Sequence, residues 1–213
     1  MTDPAVANSA PESATVGPNA ILQYLPVLQT RLGETGMVDF FEAEHLDFFP
    51  DGTEMIAEEH AARFHQAVLR SFPDKASDLA RDAGGATADY IIANRIPKFA
   101  RAILALLPRP VAENMLCRSI AEHAWTFAGS GVFKVDNQSS IAFEIRSNPI
   151  VLGMHTEHPV CDWHVAVFER LFSRLIGGGY NVVETSCCAM GDSACRFELQ
   201  RQQRADDTLG NRQ

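Results

Sequence analysis

No stretch of this sequence is both long and apolar enough to cross a membrane, because a spanning helix needs roughly 18 to 20 consecutive apolar residues. The N-terminus also lacks a basic segment followed by an apolar one, which is the pattern of a secretory leader. We therefore expect a cytoplasmic protein without a membrane span.

Dense runs of lysine and arginine are missing as well. The 213 residues include 18 Lys and Arg against 27 Asp and Glu, which gives a formal net charge of −9. Such a chain repels a phosphate backbone unless a local basic cluster reverses the charge. We do not expect nucleic-acid binding.

Cysteine is scarce and odd in number, with five residues, so a disulfide framework is not expected and reduced thiols or metal ligation become the leading interpretations. The hydrophobic content of 46% is sufficient for one substantial core in a chain of this length. Polar, Ala-, Ser- and Pro-containing ends predict disordered tails over 1–18 and 200–213. Between them we predict a single domain, 19–199.

Apolar residues recur at helical spacing through much of the first 130 positions. The pattern predicts one or two short helices over 18–32, where Pro26 interrupts the periodicity, and then four longer helices. These run from a cap at Thr53 to Phe72, from Pro73 past Ile91, over 97–107 and over about 111–127.

Two segments alternate apolar and polar residues, which predicts β-hairpins. The first spans 129–146 around Asn137 and Gln138, and the second spans 180–199 around Gly191 and Asp192. A helix over 159–176 lies between them and ends at the glycines 177–179. The whole pattern predicts an α+β fold in which an antiparallel sheet packs against a layer of helices.

The stretch ETSCCAMGDSAC, residues 184–195, is unusually rich in thiols and carboxylates. A hairpin centred on Gly191 brings Cys187 and Cys195 close together, and Glu184 joins them if the strand contains a bulge or ends there. Cys161 lies in the first turn of the preceding helix. These four side chains form a ligand set that suits Zn²⁺, and four protein ligands indicate a structural site.

Two other interpretations of the cysteines stay open at this point. Free cysteine is among the most frequently buried residue types, so these side chains are equally typical of a hydrophobic core. A disulfide between the neighbours Cys187 and Cys188 is strained and unsuited to a reducing compartment. Cys188 points to the opposite face of the strand from Cys187, which favours packing over ligation.

The segment from Cys161 through GGGYNVVETSCCAMGDSACRFEL resembles the 4-vinyl reductase domain family. The resemblance covers about 110–199 through these motifs and 55–107 more loosely. It implies a ligand-binding fold shared with the small subunits of vesicle-tethering complexes. It also implies zinc held by Cys161, Glu184, Cys187 and Cys195, as in sensor members of the family.

The segments NAILQYLPVL and GGATADYIIANRIPKFARAIL extend the resemblance to the bacteriochlorophyll-synthesis members of that family. This implies a role at the step that converts an 8-vinyl to an 8-ethyl tetrapyrrole, with other enzymes of the pathway as further partners. The implied ligand is a divinyl tetrapyrrole, either protochlorophyllide or a Mg-porphyrin. A homodimer is compatible with the helical faces.

A reductase needs a hydride source such as NADPH, and no G-x-G-x-x-G or Walker sequence is present to bind one. The triple glycine precedes a strand and is better explained as a helix end, while Gly84 and Gly85 indicate a close helix contact. We therefore favour an accessory protein that binds or delivers the pigment. The reductase itself and a sensor of small aromatic compounds are the alternatives.

The expected cavity lies between helices and sheet and is lined by apolar and aromatic residues. Candidate lining residues are also ordinary core residue types. His123 is the candidate for an axial nitrogen on a tetrapyrrole Mg²⁺, because aromatic residues follow it closely. The lining candidates are Tyr90, Phe99, Trp125, Phe127 and Trp163.

Overall fold

The computed structural model describes residues 14–137 and 140–202. Within these ranges the helices and strands alternate only in part, with most helices preceding the main sheet. The helices are α1 (Asn19–Leu22), α2 (Tyr24–Ala43), α3 (Glu58–Ser71), α4 (Ala76–Asn94), α5 (Lys98–Leu106), α6 (Arg109–Glu122), α7 (Trp125–Ala128) and α8 (Asp162–Leu175). The strands are β1 (Thr15–Val16), β2 (Ile56–Ala57), β3 (Val132–Asp136), β4 (Ala142–Arg146), β5 (Tyr180–Ser186) and β6 (Cys195–Arg201).

The main sheet is antiparallel with the strand order β3-β4-β6-β5, and β1 pairs separately with β2. Both predicted hairpins are therefore confirmed, and β6 lies between β4 and β5. Phe143 on β4 pairs directly with Phe197 on β6, and both side chains are fully buried. The predicted α+β class with an antiparallel sheet against helices is confirmed.

Helix α8 is the central element, because it packs against the sheet on one side and against α4 on the other. Phe168 and Phe172 of α8 meet the Phe143 ring, with centroids 4.7 and 6.0 Å away. The opposite face approaches Gly84 so closely that a Cβ there would lie 2.4 Å from the Trp163 carbonyl oxygen. The close helix contact predicted from the paired glycines is present at Gly84.

The helix boundaries require three corrections. Pro26 does not interrupt the first helical region, because it lies in the first turn of α2, where its missing N–H has no intrahelical partner to lose. The interruption is at Gly33, whose φ of 74° only glycine adopts readily. Thr53 is not a cap, since α3 begins at Glu58 and the Thr53 hydroxyl donates to Asp51 instead. Helix α4 begins at Ala76, after Pro73 rather than at it.

The folded body extends beyond 19–199 at both ends. Val16 pairs with Ile56 and is fully buried, while Arg201 belongs to β6 and the Gln202 N–H donates to the Gly179 carbonyl. The remaining parts of the predicted tails, 1–13 and 203–213, lie outside the described residues, as does Gln138 of the first turn. None of the helices in the described ranges has the length and apolar character required to cross a bilayer.

Candidate functional site

The four predicted metal ligands converge at the start of α8. Cys161 immediately precedes this helix, Glu184 belongs to β5, Cys187 follows β5, and Cys195 begins β6. The pairing of β5 with β6 shifts register between Glu184 and Ser186, which is the strand irregularity required for Glu184 to face the cysteines. The Cys161 N–H donates to Glu184 Oε2 at 2.8 Å and so ties the helix to the hairpin.

The three sulfur atoms form a nearly regular triangle. Cys161 Sγ lies 3.6 Å from Cys195 Sγ and 3.9 Å from Cys187 Sγ, and the last two are 3.9 Å apart. One ligand atom from each of the three cysteines and Glu184 lies within 4.8 Å of every other. All three thiols are buried, so this is an enclosed cluster.

Neighbouring polar groups hold the cluster in place. Asn148 Nδ2 lies 3.5 Å from both Cys161 Sγ and Cys195 Sγ, and the Cys188 N–H donates to Cys195 Sγ at 3.3 Å. The Cys187 N–H donates to Asp192 Oδ2, which fixes the turn. Such outer hydrogen bonds orient sulfur ligands around a cation.

Asn148 was not identified from the sequence. It is fully buried, and its carbonyl oxygen accepts from the Ile150 N–H at the start of a short 3-10 turn, Pro149–Val151. The Asn-Pro pair is a turn signal, but nothing in the sequence places that turn beside the cysteines.

The electrostatics of the cluster are those of several acids confined without a compensating cation. Burial, followed by the charge of Cys187, raises the pKa of Glu184 to about 8. Contacts with Cys187 and Cys195, then burial, raise the pKa of Cys161, while donation from Cys161 and Cys195 lowers that of Cys187. Glu184 Oε1 is buried without a hydrogen-bond partner. A bound cation would stabilise every deprotonated member of this set.

Cys188 lies apart from the triangle, as the strand alternation predicts. It is half-buried and directs its sulfur toward the Ile145 carbonyl at 3.8 Å. The fifth cysteine, Cys117, is buried on α6, where burial raises its thiol pKa to about 12. Neither belongs to the candidate site.

A second unusual group, His164, lies one turn into α8. Its side chain is 1% exposed, and neither Nδ1 nor Nε2 has a hydrogen-bond partner. Burial, followed by the proximity of His65, lowers its pKa to about 3, so the imidazole is neutral at pH 7. Four aromatic rings surround it with centroids 4.9 to 6.2 Å away, from Trp163, Phe197, Phe127 and Phe168.

The predicted ligand-lining residues are spread over several environments. Trp163 is buried and its indole N–H donates to the Thr87 hydroxyl, while Phe127 is half-buried against His164 and Phe168. Tyr90 is half-buried on α4. Phe99 and Trp125 are exposed, on α5 and α7.

His123, the axial-ligand candidate from the sequence, is exposed and bonds through Nδ1 to the Ser119 carbonyl at 2.8 Å. The structure therefore brings Phe127 and Trp163 together around His164 and leaves His123 outside this group. The available signal was the helical spacing of His164 with the apolar residues of α8, three positions after Cys161. The space between α8 and the sheet is filled by aromatic side chains, including Phe143, Phe168, Phe172 and Phe197.

Comparison with known proteins identifies relatives of the whole chain. The 4-vinyl reductase domain family matches residues 141–201, which contain all four clustered ligands. The "Bacteriochlorophyll synthase 23 kDa chain" of Cereibacter sphaeroides is 44% identical over 184 residues, which cover 86% of this chain and 89% of the relative. The protein of the same name from Rhodobacter capsulatus is 39% identical over 184 residues, covering 86% of each chain.

Among solved structures, the Fe(II) unliganded H-NOX protein from K. algicida superposes with a TM-score of 0.55. The match covers 89% of this chain and 98% of that protein at 11% sequence identity. A likeness at this identity concerns the fold, and it agrees with helices packed on an antiparallel sheet.

Proposed function

The chain belongs to the family of the bacteriochlorophyll synthase 23 kDa chains, and on this premise we propose that it binds a divinyl tetrapyrrole during bacteriochlorophyll biosynthesis. In this proposal it acts at or near the 8-vinyl reduction step and holds or delivers the pigment as an accessory protein. The family membership supports the pathway. The site around His164 supports the ligand class.

The observation that carries the proposal is the unpartnered imidazole of His164. A buried polar group without a hydrogen bond costs about 1 to 3 kcal/mol, so such a group is retained where a ligand completes it. A neutral imidazole is a good ligand for a metal ion, and the Mg²⁺ of a chlorophyll precursor accepts one axial ligand. The surrounding aromatic rings suit the flat, apolar face of the macrocycle.

The pigment must displace side chains to reach His164, because aromatic rings fill this part of the core. Phe127 and Phe133 are only half-buried, and their rings contact each other with centroids 5.2 Å apart. Phe127 also separates His164 from the exposed Trp125 on the four-residue helix α7. Movement of Phe127 and Phe133 therefore provides the shortest route from the surface to the imidazole.

The experiment is an absorption titration of the purified protein with divinyl protochlorophyllide. We expect a saturable Soret shift for the wild type and at least about tenfold weaker binding for His164→Phe, which keeps an aromatic ring but removes the nitrogen ligand. His123→Phe is the matched control and should change the affinity by less than about twofold, since this exposed ring has no part in the proposed site.

The titration also separates this proposal from its rivals. Weakened binding in His123→Phe together with normal binding in His164→Phe would contradict the assignment of the ligand. Addition of NADPH to the same cuvette should leave the spectrum unchanged, whereas a further blue shift would identify the chain as the reductase. A chain that binds phenols but no pigment would instead be a sensor of small aromatic compounds.

We also propose that Cys161, Glu184, Cys187 and Cys195 hold one structural Zn²⁺. With zinc–sulfur bonds of about 2.3 Å, a tetrahedral site separates its sulfurs by about 3.8 Å. The separations here, 3.6 to 3.9 Å, fit that geometry, and the unpartnered Glu184 Oε1 is the available fourth ligand atom. Zinc in this position fastens the last hairpin to α8 and leaves no open coordination position for catalysis.

A further inference from the structure

Helix α5 exposes an apolar strip to solvent. The strip consists of Phe99, Ile103 and Leu106, which are 69%, 44% and 87% exposed. Their spacing of four and three residues places them on one face of the helix. Leu104 is the buried residue of α5 and faces the body of the protein, so the strip points outward.

Positive charge surrounds the strip in a protein that is otherwise acidic. Residues 90–112 contain Arg95, Lys98, Arg101 and Arg109 and no Asp or Glu, whereas the whole chain has a net charge of −9. Within the described parts of the chain, no ion pair involves Arg95, Lys98 or Arg101. By contrast, Arg196 contacts three carboxylates.

This combination defines the chemistry of the occupant, which must be apolar at its centre and negatively charged at its edge. The acyl and headgroup layers of an anionic bilayer have that arrangement. A second copy of the chain fits less well, because pairing two α5 helices across a two-fold axis brings their cations together with no acidic residue in the segment to compensate.

From this geometry we propose that α5 is a peripheral membrane-docking helix that lies flat on an anionic lipid surface. Its nine residues span about 13 Å, and prolines at 97 and 108 flank it. The apolar strip enters the boundary between acyl chains and headgroups, while Arg95, Lys98 and Arg109 near the two ends contact the lipid phosphates. The inference is independent of pigment binding, since it uses none of the residues around His164.

The test is co-sedimentation of the purified full chain with vesicles of phosphatidylcholine alone or with about 30% phosphatidylglycerol. Leu106→Glu should weaken binding to the anionic vesicles by at least about tenfold, because it places a carboxylate in the lipid-facing strip. The matched control is Leu152→Glu, which makes the same change at another exposed leucine (64% exposed) and should bind within about twofold of the wild type.

The charge component is tested separately. Lys98→Ala should weaken binding to the anionic vesicles by about fivefold, and Lys134→Ala, at an exposed position on β3, should leave it nearly unchanged. Three results would overturn the proposal: no binding of the wild type to anionic vesicles, equal losses for Leu106→Glu and Leu152→Glu, or sedimentation-velocity data in which Leu106→Glu abolishes a dimer while vesicle binding persists.

Discussion

Two regions of the core bury polar groups in opposite ways. Beside β5 and β6, the buried carboxylate of Glu113 accepts from the Tyr180 hydroxyl at 2.5 Å and from Arg201 Nε at 2.8 Å. At the first turns of α8, Glu184 Oε1 and both nitrogens of His164 are buried without partners. Among the described residues, these three are the buried side-chain polar atoms that lack a hydrogen bond.

The difference between the regions indicates where the protein is complete in itself and where it awaits a ligand. Glu113 joins α6 to the sheet through its own partners, which is a structural use of a buried charge. The unpaired atoms near α8 each cost about 1 to 3 kcal/mol, and they concentrate in one place. The histidines show the same contrast, since buried His65 contacts Tyr24 and the Ala20 carbonyl through its two ring nitrogens.

The largest expected effect follows from breaking the cluster at α8. Cys195→Ser should lower bound zinc from about one ion per chain to less than about 0.1, and it should lower the melting temperature by more than about 10 °C, because a closed site couples metal binding to folding. Metal analysis and thermal unfolding measure both quantities. Chelation of the wild type should reproduce the loss of stability.

Cys188→Ser is the control for this prediction. The Cys188 side chain points away from the sulfur triangle, so the variant should keep its zinc. Stoichiometric zinc in Cys195→Ser, or equal losses in the two variants, would contradict the assignment of the ligands and remove the distinction between the two regions.

The next effect concerns the region that is complete. Glu113→Ala should lower the free energy of unfolding by about 2 to 4 kcal/mol, because Tyr180 and Arg201 lose their shared acceptor. Bound zinc should not change. Urea denaturation provides the measurement, and Glu122→Ala on the exposed end of the same helix should stay within about 0.5 kcal/mol of the wild type. Loss of zinc in Glu113→Ala would show that the two regions are coupled.

The sequence predicted the elements whose local pattern is strong. The two hairpins and α8 follow from alternating and helical periodicities, and the four clustered ligands follow from a turn at Gly191 together with the family resemblance. Helix boundaries near Pro26 and Thr53 were wrong, because proline at a helix start and a threonine in an Asp51 turn have the same residue types as a helix break and a cap.

The partners of the site were beyond local pattern. Asn148 reaches Cys161 and Cys195 only because β4 pairs with β6, which is a contact over 47 positions of sequence. The choice of His123 over His164 used neighbouring aromatic residues along the chain. The rings that surround His164 come instead from α7, α8 and β6, and burial by such distant elements cannot be read from adjacent positions.

The smallest effect tests the two histidines against each other. Burial lowers the pKa of His65 to about 4 and that of His164 to about 3, so between those values and 6.5 the unfolded chain binds more protons than the folded one. Each histidine therefore makes stability rise with pH in this range, by up to about 1.4 kcal/mol per pH unit. His164→Phe should reduce the slope by that amount.

At pH 7 and without pigment, the two substitutions should differ in sign. His164→Phe removes an unpaired polar group from an aromatic environment and should leave stability unchanged or raise it by about 1 kcal/mol. His65→Phe leaves the Tyr24 hydroxyl and the Ala20 carbonyl without their partner and should lower stability by about 1 to 3 kcal/mol. Urea denaturation between about pH 4.5 and 7 measures both the slope and the sign. Equal destabilisation by the two variants at pH 7 would mean that His164 supports the fold as His65 does, and it would leave the pigment proposal without its distinguishing residue.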